Sequence, residues 1–254
     1  MLRDLNQSFL IKKTNYSETF LSNMIIDSKK EKIIIKKVKN NPIQSFHQEI
    51  DALTNLKHEN IVYILGFDKN KKEIYLEYLN GDNLSNYIGE KGRLSLDEAI
   101  PIFSTISKIL DYIHSNSTKK PEFIHYDISD NNFIKINDSL KLLDFGTSYR
   151  TNKIPENYYK MEVGTLAFMS PEKLKFSPEY GKESDVYSFG VIAYKSLMGI
   201  EPFLECIGCI RKQILNHSPI PLQSKDPKID ELVMSCLEKN PKNRPKSYEL
   251  IKFF

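Results

Sequence analysis

The sequence predicts an α+β fold: a small β-rich first part with one main helix, then a larger, mostly helical second part. Three observations predict it. Residues 8–39 break into short runs of β-branched and aromatic residues punctuated by polar turns, the pattern of consecutive strands. Beyond residue 80 apolar residues recur instead at helical spacing. The 254 residues suffice to bury one large core or two smaller ones.

In chain order, residues 8–11, 19–26 and 32–38 read as strands, with turns at Asn15-Tyr16-Ser17 and Asp27-Ser28-Lys29-Lys30. The third strand sets Lys36 behind Ile33-Ile34-Ile35, where an ammonium either faces water at an edge or needs a partner. A helix is expected from Pro42 to Lys57. Proline suits a first turn, and Phe46, Ile50, Leu53 and Leu56 keep helical intervals around Glu49. A strand from Ile74 to Leu79 ends in the turn-forming Asn80-Gly81-Asp82-Asn83, so the two parts divide into 1–79 and 80–254. Residues 83–88 can form a short helix. Ser95-Leu96-Asp97-Glu98 has capping-box spacing and opens a helix through Ile102, Phe103, Ile106, Ile109, Leu110 and Ile113. That stripe is core, and His114 at its end reads as structural.

Hydrophobic residues make up 40% of the chain and charged residues 27%, ordinary values for a soluble globular protein. A net charge of +3 gives no case for nucleic acid or membrane as the main partner. No apolar run is long enough for a bilayer and Met1-Leu2-Arg3-Asp4-Leu5 is no signal peptide, so a cytoplasmic location is expected. Cys206, Cys209 and Cys236 make no disulfide framework. The C-x-x-C pair lacks the four ligands of a zinc site, and all three read as thiols in a reducing compartment.

The chemistry concentrates between His125 and Gly146. Asp127 and Asn132 stand five residues apart, and Asp144 follows a hairpin-like segment containing Asn137-Asp138. Phosphoryl transfer from a nucleotide needs a carboxylate to orient the attacking hydroxyl and hard oxygens to hold Mg²⁺ against the phosphates. The competing reading is that Asp127 and Asn132 only cap a turn.

This stretch, His125-Tyr126-Asp127 with Asn132 and then Asp144-Phe145-Gly146, resembles the catalytic and metal-binding loops of the eukaryotic protein kinase family. The resemblance runs from about Phe9 to Phe254. It implies a bilobal protein-kinase-like fold in a single domain, ATP and Mg²⁺ as cofactors, and a protein substrate. It implies that Asp127 orients the substrate hydroxyl, that Asn132 and Asp144 ligate Mg²⁺, and that Lys36, paired with Glu49, contacts the α/β-phosphates. Ile11, Thr19, Ile34 and Ile134 would line the nucleotide, backbone groups near Glu77 and Leu79 would meet the adenine edge, and Leu76 would guard the back of the pocket. In support, His125 and Phe145 would brace the loops, and Thr165 would bond the catalytic aspartate. Asp185 would accept bonds from the catalytic-loop backbone, and Arg244 would pair with Glu172. Gly164-Thr165-Leu166-Ala167-Phe168-Met169 and Asp185-Val186-Tyr187-Ser188-Phe189-Gly190 are closest in wording to the tyrosine-kinase-like group of serine/threonine kinases.

Four departures stand out. The segment Ile11 to Thr19 lacks the family's phosphate-covering glycines, with Lys12, Thr14 and Ser17 in their places and Tyr16 as the loop aromatic. Ile34 replaces a small alanine and should narrow the pocket. Tyr126 replaces an arginine that binds a phosphorylated activation loop, which argues that activity does not depend on a phosphate there. Ser129 replaces a lysine typical of serine/threonine kinases, whereas Thr165 favours serine/threonine substrates. The activation segment, 144–172, carries Thr147, Ser148, Tyr149, Thr151, Tyr158 and Tyr159 as candidate phosphate acceptors. One reading is an ATP-dependent kinase acting on protein hydroxyls. The glycine-free loop, Ile34 and Ser129 suit a second, a pseudokinase scaffold or switch. A small-molecule kinase is a third, against which the activation segment argues.

Overall fold

A computed structural model describes residues 2–3, 8–39, 46–118, 120–160, 162, 164–177, 180–203 and 209–254. The first part is a six-stranded sheet of β1 (Leu2–Arg3), β2 (Phe9–Lys13), β3 (Ser17–Ile26), β4 (Lys29–Val38), β5 (Ile64–Asp68) and β6 (Glu73–Glu77). The strands run β1-β3-β4-β6-β5, with β2 also on the edge of β3, and every pairing is antiparallel. β3 and β4 pair without a break from Ser17↔Val38 to Ile26↔Lys29. The turn between them is only Asp27-Ser28, both left-handed at φ 47° and 65°. Such a two-residue turn twists in the sense of its flanking strands, so Lys29 and Lys30 fall in the strand rather than in the turn.

Alternation along β4 decides where the first part meets the second. Ile33 and Ile35 pack with Met24 on one face. Ile34, Lys36 and Val38 therefore share the other, which Val38 joins to the main core. The helix over that face, α1, runs Phe46–Asn55 and buries Phe46, Glu49, Ala52 and Leu53. Pro42, its expected start, lies outside the described residues.

The second part carries α2 (Leu84–Lys91), α3 (Leu96–His114), α4 (Pro171–Leu174), α5 (Lys182–Met198), α6 (Ile210–Asn216), α7 (Pro227–Cys236) and α8 (Ser247–Leu250). At the start of α3 the Ser95 N–H donates to Glu98 Oε2 at 3.0 Å and the Glu98 N–H to Ser95 Oγ at 3.4 Å, the reciprocal cap read from the sequence. Small pairings carry the functional loops. β7 (Asp82–Asn83) joins β9 (Phe133–Ile136) and β10 (Ser139–Leu142), and β8 (Phe123–Ile124) joins β11 (Tyr149–Arg150). Gly81 is required at this junction, because a Cβ there would overlap the Lys135 carbonyl oxygen. Among the described residues no helix is long and apolar enough to cross a membrane.

One expectation fails outside the site. Cys209 is disulfide-bonded rather than a thiol, and Cys206 lies outside the described residues. Cys236 is a buried free thiol whose pKa burial pushes up to about 12, so its burial keeps it unreactive.

α5 is buried on nearly every side and is the axis of the second part. Gly190 lets α7 approach it: a Cβ at 190 would meet Cys236 Cβ at 2.7 Å and Leu237 Cδ2 at 3.1 Å. Gly190→Ala is predicted to cost about 1–3 kcal/mol by overpacking, lowering the urea midpoint at unchanged slope. An unchanged midpoint would contradict this packing.

Candidate active site

Three chain segments converge on the Lys36 ammonium. Its Nζ donates to Glu49 Oε1 at 3.0 Å and Oε2 at 2.8 Å, and to Asp144 Oδ1 at 2.7 Å. Lys36 and Glu49 are 6% and 1% exposed, which excludes the water-facing edge lysine. Burial works against the charge on Lys36, but Asp144 and Glu49 outweigh it and hold the ammonium ionised above its usual range. Burial drives the Glu49 carboxyl up to about 7 against the pull of Lys36. Burial also opposes ionisation of Asp144. Lys36 and the Gly146 N–H, 3.2 Å from Asp144 Oδ1, reverse that and hold its pKa below the usual range.

The catalytic-loop residues are fixed through the backbone. Asp185, at the first turn of α5, accepts from the N–H groups of His125 at 2.8 Å and Tyr126 at 2.9 Å, and its Oδ2 lies 2.9 Å from His114 Nε2. His125 Nδ1 accepts from the Asp127 N–H at 3.3 Å, while Nε2 sits 3.2 Å from the Leu143 carbonyl. Burial lowers the His125 pKa, so the ring is neutral with its proton on Nε2. Its ring meets Phe145 edge-on at 4.7 Å. Tyr126 and Asp144 are left-handed at φ 64° and 52°, strained positions that these bonds over-determine.

Asp127 in turn is held by side chains. Its Oδ1 accepts from Thr165 N at 2.9 Å and Thr165 Oγ1 at 3.0 Å. Asn132 Nδ2 donates to the Asp127 carbonyl at 2.8 Å and to Oδ2 at 3.1 Å. This leaves the Asn132 amide oxygen as the atom a cation would meet. With the Asp144 carboxylate it makes a set of hard oxygen donors. Among the described residues no cluster of three or more acidic, histidine or cysteine ligands exists. The set fits Mg²⁺, which takes one or two protein oxygens and keeps waters and substrate phosphates in its shell.

Lys36, Glu49, Asp127, Asn132, Asp144 and Thr165 open onto one cleft of about 610 Å³ between the parts, lined also by Ile11, Thr19, Ile34, Leu76, Glu77, Leu79 and Ile134. That is an ordinary size for a small-molecule site, and Ile34 at its wall leaves it open. The remaining sequence-derived pair lies apart from the cleft. Arg244 holds Glu172 with two 2.7 Å bonds at the end of the activation segment, and Ser184 Oγ adds a third at 3.0 Å.

Comparison with known proteins identifies the family of the whole domain. The model of the protein kinase domain matches residues 19–253. The serine/threonine-protein kinase VIK of Arabidopsis thaliana is 34% identical over 223 residues, covering 83% of this chain and 50% of its own. The serine/threonine/tyrosine-protein kinase HT1 of the same plant is 31% identical over 80% of this chain and 52% of its own. The probable serine/threonine-protein kinase drkA of Dictyostelium discoideum is 30% identical over 92% of this chain and 37% of its own. The chain thus spans about half the length, or less, of these relatives.

The chain belongs to the protein kinase family.

Within this kinase domain the glycine-free loop has its own construction. Thr14 Oγ1 accepts from the N–H groups of Tyr16 at 3.1 Å and Ser17 at 3.0 Å, and Lys39 Nζ ties down the Thr14 carbonyl at 2.8 Å. No described residue from 11 to 19 has positive φ, so the turn needs no glycine. Lys12, Thr14, Tyr16 and Ser17 line the cleft. The signal for this was present as Thr14 three residues ahead of Ser17, but many Thr-x-x-Ser segments form no such turn.

The kinase's activation segment is braced by aromatic rings where Tyr126 stands for arginine. Tyr126 packs on Tyr158 and Tyr180, each at 5.3 Å between centroids, and the Tyr158 hydroxyl donates to the Thr147 carbonyl at 2.8 Å. Three of the candidate phosphate acceptors are thereby corrected: Tyr158, Thr147 and Ser148 are each 1% exposed and hydrogen-bonded inside. Tyr149, Thr151 and Tyr159 remain half-buried at the surface. Sequence reading also missed Lys173, a buried lysine beneath the catalytic loop.

Burial opposes the charges of Asp185 and Glu172, but the bonds from His114 and Arg244 win, so both folded pKa values lie below the ordinary carboxylate range. Their stabilisation is complete above the unfolded carboxylate pKa, about 4, and is lost as pH falls through the lower folded values. Asp185→Asn is therefore predicted to lower Tm at pH 7 and to flatten the fall of Tm below about pH 4. An acid limb as steep as wild type would contradict the role of Asp185.

Proposed function

We propose that this kinase domain transfers the γ-phosphate of ATP to hydroxyl groups of a protein substrate, with serine and threonine favoured over tyrosine. The observation that carries the reading is that Lys36, Glu49 and Asp144 form one buried ion cluster in the same cleft as a doubly held Asp127. The names of the relatives, and the Thr165–Asp127 bond, support the preference for serine and threonine. The domain is read as an N-lobe of 1–79 and a C-lobe of 80–254, divided where the main sheet ends and β7 begins. A cytoplasmic location belongs to the same reading, and the net charge of +3 gives no case for a nucleic-acid partner.

In this mechanism Asp127 accepts a hydrogen bond from the substrate hydroxyl, aims its oxygen at the γ-phosphorus and takes its proton. Thr165 and Asn132 fix that carboxylate so that orientation costs little at the moment of transfer. Lys36, aimed by Glu49, neutralises charge on the α/β-phosphates, and His125 and Phe145 keep Asp144 beside it. Mg²⁺, held by Asp144 and Asn132, would neutralise the charge shared by the β- and γ-oxygens. Ile11, Thr19, Ile34 and Ile134 enclose the base. The Glu77 carboxylate is already occupied by the Tyr63 N–H and Lys141, so adenine is read by backbone at Glu77 and Leu79.

One observation favours the scaffold reading. Two backbone N–H groups of the loop are spent on Thr14 instead of being free for phosphates. Lys12 in the cleft wall supplies a compensating charge.

With Mg·ATP the protein is predicted to label itself or a generic basic protein, and Asp127→Asn to reduce this at least 10²-fold. Labelling that is absent, or that survives the substitution, defeats the catalytic reading. Mg·ADP at about 100 times its Kd should stabilise the fold by about 2.7 kcal/mol, and Lys36→Met should abolish most of that shift. No shift at millimolar nucleotide would leave the scaffold.

A further inference from the structure

Lys173 is a buried cation that the mechanism above does not use. It sits in α4, one residue past Glu172, and is 4% exposed. Burying an ammonium without a carboxylate in contact is unfavourable. Among the described residues none lies within salt-bridge distance of it. Its Nζ instead donates to the carbonyl of Tyr126 and stands 5.5 Å over the Tyr126 ring. A Cβ on Gly164 would lie 3.2 Å from Asp127 Oδ1 and 3.3 Å from Lys173 Nζ. The carboxylate and the ammonium are therefore no more than about twice that distance apart, with the glycine between them.

We propose that Lys173 is a positioning residue for phosphoryl transfer: its ammonium pins the peptide between Tyr126 and Asp127 and supplies positive charge behind the Asp127 carboxylate.

The proposal rests on the kinase reading of Asp127. Two observations beyond the bond itself support it. Asp185 holds the N–H groups of His125 and Tyr126, and Lys173 holds the Tyr126 carbonyl, so the peptide leading into Asp127 is gripped at both ends while Tyr126 keeps its left-handed φ. Ser129, two residues past Asp127, is a buried neutral side chain, so that position itself supplies no positive charge to the carboxylate. The electrostatics agree with the geometry. Burial lowers Lys173 to about 8, while Asp127, Asp185 and Glu172 raise it.

The test is a set of variants assayed for transfer to a generic basic protein, together with the Mg·ADP thermal shift. Lys173→Met removes both the bond and the charge. It is predicted to lower kcat at least 10-fold while KM for ATP and the nucleotide shift stay at wild-type values. Lys173→Gln keeps an N–H for the carbonyl and loses only the charge. It should fall between the two, and it carries the test if Lys173→Met does not fold. In an Asp127→Asn background, read by single turnover, Lys173→Met should change the residual rate less than 2-fold, because its effect runs through Asp127. Wild-type kcat in both variants, a loss confined to KM, or the same fold-loss in both backgrounds would overturn the proposal and leave the kinase reading intact. A wild-type protein with no Asp127-dependent transfer would overturn both.

Discussion

The organisation of this domain hangs on one ammonium. Lys36 is inside the sheet, Glu49 is on the helix above it, and Asp144 belongs to a loop of the other lobe, yet all three meet within 3.0 Å. A lone charge in that position would be expelled or neutralised. Two carboxylates make its burial tolerable, and the same requirement locks strand, helix and loop into one arrangement. The cluster also explains why the cleft lies where it does. The face of β4 that carries Lys36 also carries Ile34, so the apolar wall and the charged end follow from a single strand's alternation.

The second lobe answers with a different device. Its catalytic loop has little regular structure, and its geometry is set by groups that reach in from elsewhere. Asp185 comes from the most deeply buried helix, Thr165 from the activation segment and Lys173 from α4. Two non-glycine residues of the site are left-handed, and only such external bonds keep them there. Where arginine and a phosphate would brace the activation segment in other kinases, three buried tyrosines, 126, 158 and 180, do so by packing. Packing of this kind needs no added phosphate.

What could be read from the sequence was what depends on spacing. The strand around Lys36, the helix around Glu49 and the Ser95 capping box were legible from spacing, whereas the Lys36–Glu49 contact, the Arg244–Glu172 pair and the cleft lining were implied only by the resemblance to the kinase family. What could not be read depends on long-range burial. Nothing local distinguishes Lys173 from the many solvated lysines of this chain, and nothing marks Tyr158 as a core residue instead of an exposed acceptor. The turn built on Thr14 was not legible, because a Thr-x-x-Ser spacing does not by itself say that the hydroxyl will take the N–H groups of Tyr16 and Ser17. The Asp27-Ser28 turn is shorter than its polar composition suggests, since strand pairing between β3 and β4 pulls two lysines into the ladder.

The central claim is that Lys36 and Asp144 together define the phosphate–metal end of a nucleotide cleft. It is tested most directly by a crystal structure of the protein with Mg²⁺ and a non-hydrolysable ATP analogue. The triphosphate is expected between the lobes, with the Lys36 ammonium on its phosphates and the Asp144 carboxylate on the metal. A nucleotide bound elsewhere, or one whose phosphates touch neither residue, would contradict it.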